Sequence, residues 1–248
     1  MQRALSWLVT IPVLIGFGLC LLIFDIAGRL VRPFSLRGFE YVMAALQRSL
    51  VAIFWLAGTR IVVERDPGVR PGQAYAVISN HQSLFDIAII GGYLFSNFPK
   101  YVAKRELSRW IPSVSLNLRH GHNAVIDRSK GRDAIRAIRD MARDAQDRGV
   151  SAVIFPEGTR SRDGTLGEFR RPGAKALLDA ADRLPVITVT IDGSWRLLEH
   201  RLFPVPFGTK VRMRVGPPIE REPGDSLAVL DRCEAEIGST LDRWRTPV

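Results

Sequence analysis

Two apolar stretches begin the chain. Residues 4–24 carry no charged side chain, and their length is about that of a membrane-spanning helix. Residues 39–58 are also apolar, but Gln47 and Arg48 lie in their middle, where an arginine inside a bilayer would be costly. We therefore interpret residues 1–58 as a helical hairpin that dips into one leaflet or spans a membrane poorly. A buried helical hairpin in a soluble protein is the alternative.

From residue 60 onward, short apolar runs alternate with longer amphipathic segments. The short runs predict strands, and in the longer segments apolar residues recur every three or four positions, which predicts helices packed on a sheet. The predicted strands cover 61–63, 74–79, 124–126, 151–155, 185–191 and 210–215, and the predicted helices cover 84–95, 131–148, 172–182 and 226–244. This alternation predicts an α/β layered domain with a largely parallel central sheet over residues 59–248.

Charge and cysteine content narrow the classes of partner. The formal net charge of +10 indicates anionic partners, such as phosphates or an acidic membrane surface. The sequence has no long basic run, which argues against a nucleic-acid-binding tail. Cys20 and Cys233 lie far apart and form no CxxC motif, so the sequence favours neither a disulfide framework nor a zinc site and suits a reducing compartment.

The most informative stretch is residues 80–86, which join strand 74–79 to the helix that follows it. His81 therefore lies on a strand-to-helix turn, where α/β folds usually place reactive groups. If Asp86 lies in the first helical turn, its carboxylate accepts a hydrogen bond from one imidazole nitrogen and leaves the other as a base. A capping box of Ser83 and Asp86, with His81 as an ordinary loop residue, explains the same spacing equally well.

A second stretch, residues 155–164, opens from a buried strand into a loop of glycine, hydroxyl and arginine residues. Its backbone N–H groups, the hydroxyls of Thr159 and Ser161 and the guanidinium groups of Arg160 and Arg162 together suit a phosphate. A solvated surface loop is the alternative, although it does not account for the glutamate directly after the strand.

Weaker candidates lie elsewhere in the chain. Lys104 and Arg128 would supply further contacts to the same anion, although each alone reads as an ordinary surface side chain. His120 and His122 would share a metal only if they lay on one strand face, and no third ligand is evident, so we expect no metal site. The sequence contains no GxSxG elbow and no Walker loop, which argues against a covalent serine hydrolase and a nucleotide-dependent kinase.

Together the two stretches resemble the glycerolipid acyltransferases, the 1-acylglycerol-3-phosphate acyltransferase family. Asn80, His81 and Asp86 match the family's N-H-x4-D motif, and residues 155–160 match its F-P-E-G-T-R motif in full. The similarity runs from about residue 60 to about residue 220.

The resemblance implies transfer of an acyl group from acyl-CoA or acyl carrier protein to the free hydroxyl of 1-acylglycerol-3-phosphate, which gives phosphatidate for phospholipid biosynthesis. It implies His81 as the base and Asp86 as the residue that orients it. The residues that would bind the acceptor are Glu157, Gly158, Thr159 and Arg160, with Arg128 and Lys104 as further contacts to its phosphate.

The same resemblance sets the expected surroundings. We expect no cofactor beyond the acyl donor, no nucleic-acid partner, and a location at the membrane, on the cytoplasmic face of a bacterial inner membrane. An acyltransferase for another acceptor, a lyso-aminolipid or a lysophospholipid, is one alternative. A non-catalytic protein that binds anionic lipid at the membrane surface is the alternative from another class, although simple charge attraction requires neither motif.

Overall fold

The computed structural model describes residues 2–127, 129–222 and 224–246. The α-helices in these residues are α1 (Gln2–Val31), α2 (Leu36–Ile53), α3 (Phe85–Tyr93), α4 (Val114–His120), α5 (Gly131–Asp147), α6 (Arg171–Ala180) and α7 (Ser226–Arg245). The strands are β1 (Arg60–Arg65), β2 (Ala76–Ser79), β3 (Lys100–Lys104), β4 (Ala124–Ile126), β5 (Ala152–Ile154), β6 (Val186–Asp192) and β7 (Lys210–Val215). Short 3-10 helices lie at Phe54–Ala57, Phe95–Asn97, Arg105–Ser108 and Ser194–Leu198.

The described strands form one sheet in the order β1-β7-β6-β2-β5-β3-β4. The five strands β2 to β6 run parallel, whereas β7 is antiparallel to β6 and parallel to β1. Each face of the sheet carries its own hydrophobic core. Neighbouring residues of β2 pack into different cores, because successive side chains of a strand point to opposite faces. Val77 packs with α1, α2 and α3, and Ile78 packs with α5, α6 and α7. The predicted layered α/β fold with a largely parallel sheet is confirmed.

Helix α2 forms part of the core that contains Val77. Its Phe39, Met43 and Leu50 are buried, and Gln47 packs against Gly91 of α3. A Cβ on residue 91 would lie 1.5 Å from Gln47 Oε1, so a larger residue there would displace the Gln47 side chain. The polar side chain in the middle of the second apolar stretch therefore faces protein.

Helix α1 presents an apolar stripe to its surroundings. The residues of this stripe recur every three or four positions, which places them on one helix face. Each is more than half exposed, and they are Leu8, Ile11, Ile15, Leu19, Leu22, Ile26 and Leu30. Both α1 and the segment Leu36–Ala57 are long and apolar enough to cross a membrane. The two apolar helices indicate that the protein associates with membranes.

A buried ion network joins α2 to the sheet. The carboxylate of Glu40 accepts a hydrogen bond from Nζ of Lys100, at the start of β3, at 2.6 Å. Arg148, which follows α5, donates to the same oxygen, and Nη1 of Arg37 approaches the other oxygen at 3.1 Å. Burial lowers the pKa of Lys100, and the charge of Glu40 opposes that shift. Because a buried charge requires a partner, the network fixes α2 against β3 and α5.

We expect Glu40→Ala to lower the free energy of unfolding by about 3–5 kcal/mol, because it leaves the Lys100 ammonium buried beside two arginines without its counter-ion. Lys100→Met should cost less, since Arg37 and Arg148 still neutralise Glu40. Denaturant unfolding of both variants in the same detergent measures the difference. Equal losses, or a Glu40→Ala loss below about 1 kcal/mol, would contradict this view of the network.

Candidate active site

The residues singled out from the sequence meet at one edge of the sheet. The carboxyl ends of β6, β2, β5 and β3 are neighbours, and Asp192, His81, Glu157 and Lys104 lie at or just beyond these ends, in that order. Ligands of open parallel sheets bind at this edge. Arg128 would follow β4, the next strand, but it lies outside the described residues.

Asn80 fixes the point at which the His81 turn leaves the sheet. Its side-chain amide donates to the carbonyl of Ile191 at 2.8 Å and accepts from the N–H of the same residue at 2.8 Å. The asparagine is buried, and these two bonds join the end of β2 to the end of β6. The motif asparagine therefore positions the histidine through the backbone.

Asp86, in the first turn of α3, is fully buried, and its carboxylate accepts four hydrogen bonds. Its Oδ2 accepts from Nδ1 of His81 at 2.9 Å, from the N–H of Gln82 at 2.6 Å and from the N–H of Ser83 at 2.8 Å. Its Oδ1 accepts from the hydroxyl of Ser194 at 2.5 Å. The carboxylate therefore orders the turn and holds the imidazole at the same time.

The capping box considered from the sequence forms only in part. The carboxylate of Asp86 reaches back to the N–H of Ser83, as a capping box requires, but the N–H of Asp86 donates to the Ser83 carbonyl and not to its hydroxyl. The hydroxyl accepts instead from the N–H of Phe85 at 3.3 Å. Helix α3 therefore begins one residue later than predicted, and Asp86 combines a capping contact with its contact to His81.

The imidazole of His81 presents one nitrogen to the site. Because Asp86 is an acceptor, Nδ1 carries the proton of this contact, and Nε2 has no hydrogen-bond partner among residues 2–127, 129–222 and 224–246. The ring stacks on Phe155 with 4.0 Å between ring centroids and an 18° angle between planes. The side chain is 12% exposed, so a substrate has access to it. This arrangement suits proton abstraction by Nε2.

Backbone contacts lock the F-P-E-G-T-R loop to the His81 turn. Oε1 of Glu157 accepts from the N–H of His81 at 2.6 Å, and the N–H of Ser161 donates to the His81 carbonyl at 2.8 Å. Oε2 of Glu157 accepts from the N–H of Gly167 at 2.8 Å. Both oxygens of the buried glutamate thus bind the chain itself, which joins the two motifs into one rigid unit.

The rest of the loop turns outward at Gly158. Its φ of +68° is in the left-handed region, and a Cβ there would lie 3.2 Å from Cδ of Arg170, so glycine suits both the backbone and the space. Thr159 and Arg160 are exposed, as is Lys104 across the edge. In the part of the chain that the structure describes, neither cation forms an ion pair, so both are available to an anion.

The environment of Glu157 shifts its titration. Burial raises the pKa of Glu157 to about 7; the hydrogen bonds from His81 and Gly167 oppose this rise, and the charge of Asp86 adds to it. The folded protein therefore favours the protonated carboxyl more than the unfolded chain does.

We expect this shift to appear as a pH dependence of stability. Because the pKa is raised from an ordinary value of 4.5 to about 7, the contribution of Glu157 to the free energy of unfolding should fall as pH rises through that window and stay constant above it. Glu157→Gln removes the titration. The difference in unfolding free energy between wild type and variant, measured across this window, should decline with pH. A difference independent of pH would refute the shift.

Sequence reasoning missed Ser194, whose hydroxyl is one of the contacts of Asp86. It lies 108 residues from Asp86 and belongs to no motif, so only the fold brings them together. His120 and His122 do not meet: Nδ1 of His120 contacts Arg32 at 3.0 Å, and Nδ1 of His122 lies 3.1 Å from Asp144. In the described ranges no group of three or more His, Cys, Asp or Glu side chains is placed to hold a metal.

Known proteins share this sequence pattern and this fold. The family model described as Acyltransferase matches residues 60–192, which include both motifs. The chain belongs to the acyltransferase family. The resemblance predicted from the two motifs is thus confirmed at the level of the family.

Relatives of this acyltransferase carry a more specific name. A 1-acyl-sn-glycerol-3-phosphate acyltransferase from Cocos nucifera is 32% identical over 161 residues, which cover 64% of this chain and 50% of that protein. The alpha form of the enzyme from Bos taurus is 30% identical over 195 residues, which cover 77% of this chain and 66% of that protein. The chain thus spans about half the length of the Cocos relative.

A solved structure shows the same fold. The crystal structure of the 1-acyl-sn-glycerophosphate acyltransferase PlsC from Thermotoga maritima aligns with a TM-score of 0.73 and 22% identity, over 99% of this acyltransferase and 100% of that chain. The alignment includes the N-terminal helices, so the arrangement of α1 and α2 beside the layered domain recurs in that protein.

Proposed function

We propose that this acyltransferase transfers a fatty acyl group from acyl-CoA or acyl carrier protein to the free hydroxyl of 1-acylglycerol-3-phosphate, giving phosphatidate in phospholipid biosynthesis. The observation that carries the proposal is the contact of His81 Nδ1 with Asp86 at 2.9 Å, in a turn that the F-P-E-G-T-R loop holds by its backbone. The names of the Cocos and Bos relatives support the choice of acceptor.

The geometry suits direct transfer by general-base catalysis. An alcohol is a weak nucleophile at neutral pH, and Nε2 of His81 would take its proton as the oxygen attacks the thioester carbonyl. Asp86 would keep the proton on Nδ1 and stabilise the imidazolium that forms. When the tetrahedral intermediate collapses, the C–S bond breaks and the thiolate takes the proton from Nε2. The step needs no covalent acyl-enzyme and no cofactor beyond the acyl donor.

The oxyanion of that intermediate requires hydrogen-bond donors. The N–H of Gly158 already donates to the carbonyl of Phe155 at 3.0 Å. The N–H groups of Thr159 and Arg160 have no acceptor within the described residues, so they are the candidates that remain in this loop. Gly158 would act by shaping the turn that presents them.

The acceptor phosphate would bind the exposed cations of the same edge. Arg160 is the first candidate, because a guanidinium binds a phosphate through two parallel hydrogen bonds. Lys104 and Arg128 are further proposed contacts; Lys104 lies at the end of β3, two strands from β2 in the sheet.

A panel of acceptors tests this function. Purified protein in detergent micelles, given acyl-CoA or acyl carrier protein as donor, should acylate lysophosphatidate faster than lysolipids whose phosphate carries a further headgroup and faster than lyso-aminolipids. Faster acylation of one of the other acceptors would replace the proposed substrate while leaving acyl transfer intact. Lipid binding without turnover of any acceptor would favour the non-catalytic alternative.

Arg160→Lys should raise the KM for lysophosphatidate about 10-fold and leave the KM for the donor unchanged, because the variant keeps the charge but loses the paired hydrogen bonds. Arg183→Lys is the matched control, since Arg183 is exposed at the opposite edge, before β6. Initial rates with each substrate varied in turn give both constants. An unchanged acceptor KM would remove Arg160 from the phosphate site.

We also propose that residues 1–58 bring the enzyme to the membrane and that residues 59–248 carry catalysis, on the cytoplasmic face of a bacterial inner membrane. The exposed apolar stripe of α1 and the acyl chains of both substrates support this division. Because α2 shares its core with the sheet, the boundary near residue 58 separates two functions and not two independently folded units.

A further inference from the structure

A cavity of about 410 Å³ opens beside the catalytic edge, at the end of β6. The start of β7, the end of α7 and the 3-10 helix Ser194–Leu198 form its other walls. The side chains that matter for its chemistry are two indoles and four cations: Trp195, Arg196, Lys210, Arg212, Trp244 and Arg245.

The cavity shares residues with the active site. Gln82, the neighbour of His81, donates through Nε2 to the carbonyl of Gly164 at 3.2 Å and to Oδ1 of Asp192 at 3.4 Å. Arg245 donates to the same two oxygens, at 2.7 Å and 2.5 Å. One wall of the cavity is therefore one residue from the catalytic histidine.

The opposite wall is connected to Asp86. Ser194, which donates to Asp86, begins the 3-10 helix that carries Trp195 and Arg196. The cavity therefore lies beside the turns that hold His81 and Asp86.

The charge of the cavity is positive where a ligand would enter. Asp192 is paired with Arg245. Arg196, Lys210 and Arg212 are exposed, and none of the three forms an ion pair within residues 2–127, 129–222 and 224–246. Asp163 also lines the cavity and forms no ion pair in these ranges, so the walls carry four cations and two carboxylates. This excess of positive charge attracts a polyanion, and more strongly at low ionic strength.

The indoles add a second requirement on the ligand. The guanidinium carbon of Arg212 lies 5.9 Å from the Trp244 ring centroid, and that of Arg196 lies 5.1 Å from the Trp195 ring centroid. A ligand that fits both features carries phosphates for the cations and a flat base for an aromatic or guanidinium face. Acyl carrier protein, the other candidate donor, is a folded protein and is too large to enter this cavity.

We propose that this cavity binds the adenine nucleotide end of acyl-CoA, so that acyl-CoA is the preferred donor. This inference rests on the proposed acyl transfer. The adenine would stack in the cavity, the phosphates would contact Arg196, Lys210 and Arg212, and the pantetheine arm would carry the thioester past Gln82 to His81.

The test compares two donors with the same acyl chain, acyl-CoA and acyl-pantetheine, which lacks the nucleotide. In Lys210→Gln and in Arg212→Gln, the ratio of kcat/KM for acyl-CoA to kcat/KM for acyl-pantetheine should fall about 10-fold, since each variant removes one charge-assisted phosphate contact. Arg139→Gln is the matched control, because it removes the same charge from the exposed face of α5. Adenosine 3′,5′-bisphosphate should compete with acyl-CoA, and less effectively in both cavity variants.

The outcomes separate this inference from the function on which it rests. If the cavity variants change kcat/KM for both thioesters equally, or if acyl carrier protein alone serves as donor, the nucleotide site is wrong and acyl transfer stands. If no donor supports transfer, the proposed function fails. Calorimetry with CoA then still tests whether the cavity binds the nucleotide. Binding that Arg212→Gln weakens would support the site, and absent or unaltered binding would overturn it.

Discussion

His81→Ala should lower kcat by about 10²–10⁴-fold while the protein stays folded. The substitution removes the nitrogen that we assign as base. It leaves the carboxylate of Asp86 satisfied, because the N–H groups of Gln82 and Ser83 and the hydroxyl of Ser194 still donate to it. The loss of ring packing on Phe155 should cost only about 1 kcal/mol of stability, since most single substitutions fall near that value.

The measurement is kcat at saturating donor and acceptor, with Tm recorded on the same preparations. His200→Ala serves as control, because His200 is exposed in the loop after Ser194–Leu198 and contacts no catalytic group. A His81→Ala enzyme with near-normal kcat would overturn the assignment of His81 as the base. So would a loss of activity that is fully explained by a smaller fraction of folded protein.

Asp86→Asn should lower both kcat and stability, which sets it apart from His81→Ala. Asparagine keeps one acceptor oxygen, yet the aspartate uses both oxygens, and Oδ2 alone accepts three hydrogen bonds from His81, Gln82 and Ser83. Loss of the charge weakens these contacts, and hydrogen bonds to a buried charge contribute about 1.5–3 kcal/mol each. We expect a loss of about 3 kcal/mol in the free energy of unfolding and a fall in kcat smaller than that of His81→Ala.

Ser194→Ala provides a graded comparison with Asp86→Asn. It removes the hydroxyl that donates to Oδ1 and leaves the contact between Asp86 and His81 in place, so both effects should be smaller. Tm and kcat of the two variants are measured side by side. If Asp86→Asn lowered Tm with turnover per folded molecule unchanged, Asp86 would be a structural residue of the turn and not the partner of the base.

The parts of the site that the sequence predicts are those with local geometry. His81 and Asp86 lie five residues apart in one strand–turn–helix unit, and this spacing allows them to meet, although it fits a capping box equally well. The loop after β5 is likewise recognisable, because a buried strand ends in proline and opens into glycine and arginine. Parallel strands then bring both stretches to one edge of the sheet without further information.

The parts that the sequence does not predict depend on distant contacts. Strand β3 was missed because it begins with Lys100, a charged residue that is buried only because Glu40 of α2 reaches it. The link from Glu157 to the N–H of His81 was missed because one end of it is backbone, which leaves no trace in the sequence. Gln47 suggested a polar interruption of a membrane segment, whereas it packs on Gly91 of a neighbouring helix.

Formation of phosphatidate from lysophosphatidate and acyl-CoA, followed by mass spectrometry of the lipid product, tests the central claim most directly. The wild-type protein and His81→Ala are purified in parallel and matched for folded protein, and the mass of each protein is recorded after incubation with donor alone. We predict phosphatidate from the wild type, at least about 100-fold less from the variant, and no acylated protein in either sample. Phosphatidate formed equally by both proteins, or an acyl group covalently bound to the wild-type chain, would contradict base-catalysed direct transfer by His81.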